Sequence, residues 1–352
     1  MSCKWKSNTY EDRCCENKAD ESGYCIFHKH NKNDKEKKDF IEKIKEEKIS
    51  DFSGFIFEDK FDINEVIDYE YYELKFIETK FLKEVVFSKY EFKGNVYFEN
   101  IYFKEKVSFK DSIFDNNCIF YKVEFNKKYI NEKIFEKVKF IGQNLTINKV
   151  KNLPRMDGIS FNGCTKFILK NIDYKKESYL NGKVNYKIAR NQSQKIGDHE
   201  RIGHYYYKER AYGSKTMKVS DYPSYRDYMS EKLFDILSRY TIGYGERPWN
   251  IFIIAFIIIS IFAFLYMFTG IESISNNVIG VDVYNLNQYS FLEIIKSYID
   301  LWYFSMVTFS TVGYGDMIVT SIFGKILVSI EVFLGVTIGA TWASVVIKRM
   351  IR

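Results

Sequence analysis

The sequence predicts a multidomain chain: a stacked β-solenoid, then helices, then an α-helical module suited to a membrane. Three observations carry that expectation. Phenylalanine recurs at alternating intervals of five and six from Phe76 to Phe125, and two long apolar stretches follow residue 248. Between those stretches a shorter apolar run leads into Thr311-Val312-Gly313-Tyr314-Gly315-Asp316.

Taking the elements in order, residues 1–30 hold Cys3, Cys14, Cys15, Cys25 and His28. The Cys25-x₂-His28 spacing is that of paired metal ligands, and Cys3 with one of the adjacent pair Cys14 and Cys15 completes a tetrahedral Cys₃His set suited to Zn²⁺. Cys14 is taken as the fourth ligand. A unit of this size builds no core unaided, which favours a metal staple. In a reducing compartment such a cluster binds metal more often than it forms disulfides. No signal peptide is expected ahead of it, so a secreted disulfide scaffold is excluded. Residues 31–50 are rich in Lys and Glu and read as a charged linker or a solvated helix.

Residues 51–175 contain the phenylalanine ladder: Phe76, Phe81, Phe87, Phe92, Phe98, Phe103, Phe109, Phe114, Phe120 and Phe125. Neither a 3.6-residue helix nor a two-residue strand repeats at five and six, whereas a solenoid stacking one unit per turn does. Two positions before most rungs stands a small or apolar residue (Val85, Val96, Ile101, Val107, Cys118, Val123), expected to point inward. The pattern resembles the pentapeptide-repeat family in its phenylalanine-rich form. The resemblance implies a right-handed quadrilateral β-helix with a Phe core, extended by Phe52, Phe57, Phe135, Phe140, Phe161 and Phe167. Four faces need about 21 residues per coil and so five or six coils, ~25–30 Å of column. Cys118 and Cys164 read as buried filler. Some relatives mimic DNA through an acidic surface; here 20 Asp plus Glu face 21 Lys plus Arg. The solenoid therefore reads as a scaffold or docking surface for an unknown cytoplasmic partner, and no nucleic-acid partner is expected.

Residues 176–248 read as a helical linker. Val184, Ile188 and Ala189 form one stripe, Gly197 breaks the run, and Asp198 is placed to cap a helix bearing Ile202, Tyr205 and Tyr206. Tyr225, Met229, Leu233, Ile236 and Leu237 mark a juxtamembrane helix. Thr241-Ile242-Gly243-Tyr244-Gly245-Glu246 copies the later glycine motif but precedes the first span, and reads as a turn.

Residues 249–352 form the membrane module. Trp249 to Gly270 is 22 residues without a charge, about 33 Å of helix, enough for a hydrocarbon core of roughly 30 Å. A second span runs from about Thr320 to Ile347, followed by Lys348, Arg349 and Arg352. The connection 271–316 holds Lys296 against Glu272, Asp282, Glu293, Asp300 and Asp316. The positive-inside rule then places both termini in the cytoplasm of a cell (inner) membrane protein crossing the lipid bilayer twice. Two spans enclose no pathway alone, so a pore requires several copies.

The run 298–310 is too short to span and reads as a re-entrant helix. Non-helical backbone at that depth implies a wet cavity. Gly313 and Gly315 permit backbone angles that let successive carbonyls face one side. Four such loops stack rings of oxygens in place of the water around K⁺. Thr311 adds a hydroxyl ring, and Val312 and Tyr314 are expected to wedge outward against the short helix, whose C-terminal end favours a cation.

Here the chain resembles the two-transmembrane pore-loop potassium channels, over about residues 249–350. The resemblance implies a potassium-selective homotetramer with Thr311, Val312, Gly313, Tyr314 and Gly315 as the selectivity filter and Asp316, Thr308 and Ser310 as its support. It places Gly335, with Gly339 nearby, where inner helices bend; small residues at these points also simply let helices pack closely. Two positions depart from the family: Met317-Ile318-Val319-Thr320 follows the filter where a proline is common, and Val307 stands where some relatives carry glutamate. Both bear on outer-mouth gating rather than ion choice. Glu331, about ten residues into its span, lies near the midplane and reads either as a cation-attracting ring or as a partner of Ser305 or Thr308. No basic repeat marks a voltage sensor, and no C-terminal ligand-binding domain is expected. The four histidines (His28, His30, His199, His204) form no catalytic set, so no enzyme is expected. A membrane-tethered scaffold with a non-conducting pore module is the alternative.

Overall fold

In the computed structural model, residues 2–273, 278–280 and 289–351 are described; Asp282 and Arg352, used above in the charge argument, lie outside the described residues. The chain divides into two units, Met1–Asp221 and Tyr222–Arg352.

The first unit is a parallel β-solenoid of about five turns with a cap at each end. Its longest wall stacks strands Glu73–Ile77, Asn95–Glu99, Cys118–Tyr121, Asn144–Asn148 and Lys166–Lys170, all parallel. Three further parallel sheets form the other faces. Phe76 lies opposite Phe98, and Phe98 opposite Phe120. A coil in this part therefore takes 22 residues, two more than four five-residue faces would use, because two of its sides use six. Like rings stack directly: Phe76 on Phe98 at 5.3 Å, Phe98 on Phe120 at 4.8 Å, Phe87 on Phe109 at 4.9 Å. The ten ladder phenylalanines are buried, as are Val85, Val96, Ile101, Val107, Cys118 and Val123. One corner is a left-handed residue in each coil: Glu78, Asn100, Lys122, Lys149 and Asn171. Through it the amide of Glu78 still donates to the Glu99 carbonyl (2.8 Å) and that of Asn100 to Tyr121 (3.0 Å), so the ladder of hydrogen bonds turns the corner unbroken.

After Phe125 the register opens from 22 to 27 residues, Cys118 pairing with Leu145, to admit a 3₁₀ turn at Lys127–Tyr129. The expectation of buried filler fails at Cys164, which is exposed in a turn between strands.

The stretch expected as a linker or solvated helix is α1 (Asp34–Glu46), started by an Asn33–Glu36 capping box. It buries Phe40 and Ile44; Phe40 meets the rings of Phe27, Phe55 and Phe57, so α1 closes the first coil. A single turn, α2 (Ile63–Val66), follows within the solenoid. The far end is closed by α3 (Tyr179–Lys195) and α4 (His199–Thr216), separated at Gly197 as the sequence predicts. They meet the last strand with polar groups: the Leu169 amide donates to the Tyr205 hydroxyl (3.1 Å), which donates to the Phe167 carbonyl (3.3 Å). Gln192 donates to the Thr165 carbonyl at 2.6 Å. Asp198 precedes α4 but makes no capping bond; its carboxylate is paired with Arg201 instead.

The second unit holds α5 (Tyr225–Thr241), α6 (Trp249–Tyr266), α7 (Phe291–Phe309) and α8 (Ile322–Ile351). Two helices, α6 and α8, are long and apolar enough to cross a membrane, yet only 28% and 22% of their apolar windows are buried within the chain. A soluble protein would hide such helices; these present their apolar sides outward. The expected stripe of α5 (Tyr225, Met229, Leu233, Ile236, Leu237) is likewise exposed within the single chain.

Candidate functional site

Residues 311–316 are positioned by α7. This helix begins seven residues before the predicted 298–310 run because Ser290 and Glu293 form a capping box, a Ser-x-x-Glu signal present in the sequence. Its buried face, Leu301, Phe304, Ser305 and Thr308, turns toward a core that includes Phe262, Tyr266 and Leu327. Polar bonds fix its rotation: Trp302 Nε1 donates to Ser260 Oγ (3.2 Å), Tyr298 to the Ser260 carbonyl (3.3 Å) and Ser305 to the Ile259 carbonyl (2.9 Å).

Glu331, from α8, is fully buried in this core. One carboxylate oxygen accepts from the Tyr266 hydroxyl at 2.7 Å and the other from Ser305. Of the two sequence readings the single chain thus adopts the hydrogen-bonded one, with Ser305 but not Thr308, and adds Tyr266.

At the C-terminal end of α7 the chain leaves the helix through bonds from Thr311 N to Thr308 O (3.0 Å) and Val312 N to Val307 O (3.1 Å). Thr311, Gly313 and Gly315 then take φ of +58°, +57° and +77°, while Val312 and Tyr314 between them keep negative φ. Alternating handedness aligns successive carbonyls on one side of the strand and amides on the other, and glycine makes it accessible at two of the three positions. The five residues are exposed, Val312 by 54% and Tyr314 by 70%. The wedge expected of these two side chains is therefore not made within one chain. Tyr303 of α7 stands beside the Asp316 carboxylate, a neighbour the sequence reading missed. Ser310 Oγ donates to the Val307 carbonyl at 3.2 Å.

Beyond Asp316, Met317–Val319 pairs antiparallel with Ile271–Ser273, which also pairs with Val278–Ile279. A proline in that strand would remove a donor, so the departure noted above goes with a small sheet joining the filter exit to the end of α6.

Gly335 and Gly339 separate in character. A Cβ at Gly335 would lie 2.0 Å from the Phe309 carbonyl oxygen, whereas one at Gly339 would meet nothing within 4 Å. Gly335 thus serves close packing of α8 on the end of α7, and α8 runs unbroken through both. Beneath the filter segment Phe252, Phe309, Thr311, Gly335, Gly339 and Trp342 line a groove of about 420 Å³. The second glycine motif is a turn, as expected: Tyr244 donates to Asp235 (3.2 Å) and Glu246 pairs with Lys348 on α8 (3.6 Å).

In the first unit Cys3, Cys15, Cys25 and His28 converge, three of them buried and Cys15 partly so. Cys14, the ligand expected from sequence, is exposed and faces away. The reason is local: Cys14 bridges Lys6 in an antiparallel pair, and successive side chains on extended backbone point to opposite sides. Burial pushes the Cys25 thiol above its ordinary range and the His28 imidazole below its own.

Residues 278–352 match the family model described as "Ion channel". A potassium channel, K2, of Plasmodium berghei (strain Anka) is 35% identical over 54 residues, which are 15% of this chain and 4% of that protein. No solved structure matches the chain at a significant level. Together with the β-solenoid, these matches fit a channel-like domain fused to a repeat domain.

Proposed function

We propose that this chain is one subunit of a potassium-selective channel, four copies of which surround a common axis and contribute residues 311–315 as the filter. The observation that carries the reading is the exposed segment with φ alternating in sign, delivered by a helix packed by one face between two membrane-length helices. Its carbonyls supply oxygen rings that replace the hydration shell of K⁺, while the α7 C-terminus lends partial negative charge nearby. Side walls that one chain leaves bare at Val312 and Tyr314 are provided by neighbouring copies. Tyr303 stands beside Asp316 at the filter exit, and Thr308 and Ser310 hold its entrance. The chain moves ions and transforms no substrate.

In this reading Arg239, Arg247, Lys348 and Arg349 mark the cytoplasmic side of a cell (inner) membrane, where the solenoid also lies as a scaffold or regulator of opening. The exposed apolar residues of α5 rest against the lipid surface on the cytoplasmic side. Purified protein in liposomes should pass K⁺ far faster than Na⁺, native mass measurement should give four chains, and Tyr314→Ala should abolish the flux. Equal Na⁺ and K⁺ permeation, or a monomer, overturns the reading. No flux from either wild type or variant leaves the tethered scaffold.

A further inference from the structure

We propose that Cys3, Cys15, Cys25 and His28 bind one structural Zn²⁺, which clamps the N-terminal strap onto the first coil of the solenoid. The four ligand atoms lie within 4.8 Å of one another. Cys25 Sγ is 3.1 Å and Cys3 Sγ 3.6 Å from His28 Nδ1, and Cys15 Sγ is 3.7 Å from Cys25 Sγ. A tetrahedral Zn²⁺ with bonds of about 2.3 Å to sulfur and 2.0 Å to nitrogen has edges of roughly 3.8 Å between sulfurs and 3.6 Å between sulfur and nitrogen. The three edges given above lie within about half an ångström of these values and none of the six exceeds 4.8 Å, so an ion enters with shifts of no more than about 1 Å. A disulfide would need sulfurs at about 2.05 Å and would consume two ligands.

Two features outside the ligand set single out a metal rather than a chance meeting of thiols. His28 Nε2 lies 2.9 Å from the Ser53 carbonyl. That bond places the imidazole proton on Nε2 and aims the Nδ1 lone pair at the sulfurs, the outer-shell arrangement that orients metal-binding histidines. Trp5 stacks flat on the His28 ring at 4.6 Å and fixes its plane. The Cys25 amide donates to Cys3 Sγ at 3.3 Å, which holds that sulfur against the other ligands. With four protein ligands the site is closed, so its role is structural and not catalytic.

The ligands come from three places in the chain, and Ser53 ties them to the first coil. From there the strap continues along the left-handed corner: Ser7 donates to Glu78 at 3.0 Å and Tyr10 to Glu99 at 2.6 Å. Zn²⁺ thus anchors the base of a strap whose upper part is held by hydrogen bonds to the second and third coils.

This assignment stands apart from conduction, and metal content reads it directly. The full-length chain, purified in detergent without chelator, should carry about one zinc per chain. Cys14→Ser should retain the ion and Cys15→Ser should lose it. Should Cys15→Ser fail to fold, Co²⁺ exchanged into the wild-type chain gives the readout: intense sulfur-to-cobalt charge transfer and strong tetrahedral bands. Zinc-free wild type, zinc retained in a folded Cys15→Ser, zinc lost from Cys14→Ser, or a weak octahedral cobalt spectrum overturns the proposal.

Discussion

Glu331 joins three helices through two hydrogen bonds, to Tyr266 on α6 and Ser305 on α7. Its burial makes removal costly in a specific way. Ser305 keeps a second acceptor, the Ile259 carbonyl, whereas among the described residues the Tyr266 hydroxyl donates to Glu331 alone. Glu331→Ala should therefore cost about 1–3 kcal/mol, and Glu331→Gln, which keeps an acceptor, clearly less. Thermal unfolding of the purified protein checks this; adding Tyr266→Phe to Glu331→Ala should recover part of the loss, since the two residues are coupled. An unchanged melting temperature in Glu331→Ala would rule the linkage out. At this scale the sequence announces a lone charge in an apolar helix but not its partner, because Tyr266 is 65 residues away and helix rotation decides the meeting. The choice between Cys14 and Cys15 was illegible for a similar reason: adjacent residues on extended backbone differ only in the side they face, and the N-terminal strap has no repeat to reveal it.

The solenoid is the element most legible in sequence, since every coil offers its rungs the same surroundings and so demands the same residue. Phe98 shows what the repeat stabilises: it stacks between Phe76 and Phe120 and meets Phe87 and Phe109 edge-on. Phe98→Ala should cost about 3–5 kcal/mol, seen as a lowered denaturant midpoint of the first unit, while Phe98→Leu should cost much less. Tolerance of Phe98→Ala would mean the rungs are interchangeable filler. Legibility fades where the environment ceases to repeat. The insertion at 127–129 breaks the count, and Cys164 falls in an exposed turn rather than on a rung. The helices were readable as helices, yet the role of α1 was hidden because only Phe40 and Ile44 carry its packing amid a charged run. The start of α7 lay in a capping box outside the apolar run that drew attention.

Over the whole molecule, the proposed filter, the bonds around it and Glu331 all belong to residues 222–352, and the first unit makes none of them. Removing residues 2–221 should leave the ratio of K⁺ to Na⁺ flux unchanged while altering total flux if the solenoid biases opening. A collapse of the ratio would show that the first unit holds the filter in shape. The division at Asp221 also moves α3 and α4 from linker to cap, a role no local pattern discloses because their partners lie 27 to 39 residues earlier on the last coil. That cap and α1 at the opposite end have a consequence for how copies coexist. A bare terminal coil is a template, and parallel columns with open ends grow into fibres by adding strand to strand. Here part of that edge is already satisfied at each extremity: the Ile56 carbonyl accepts from Lys32 and its amide donates to the Phe27 carbonyl (3.0 Å), while the Phe167 carbonyl accepts from Tyr205. Where copies of this chain meet through those ends, the groups already paired offer no free edge for strand-to-strand addition.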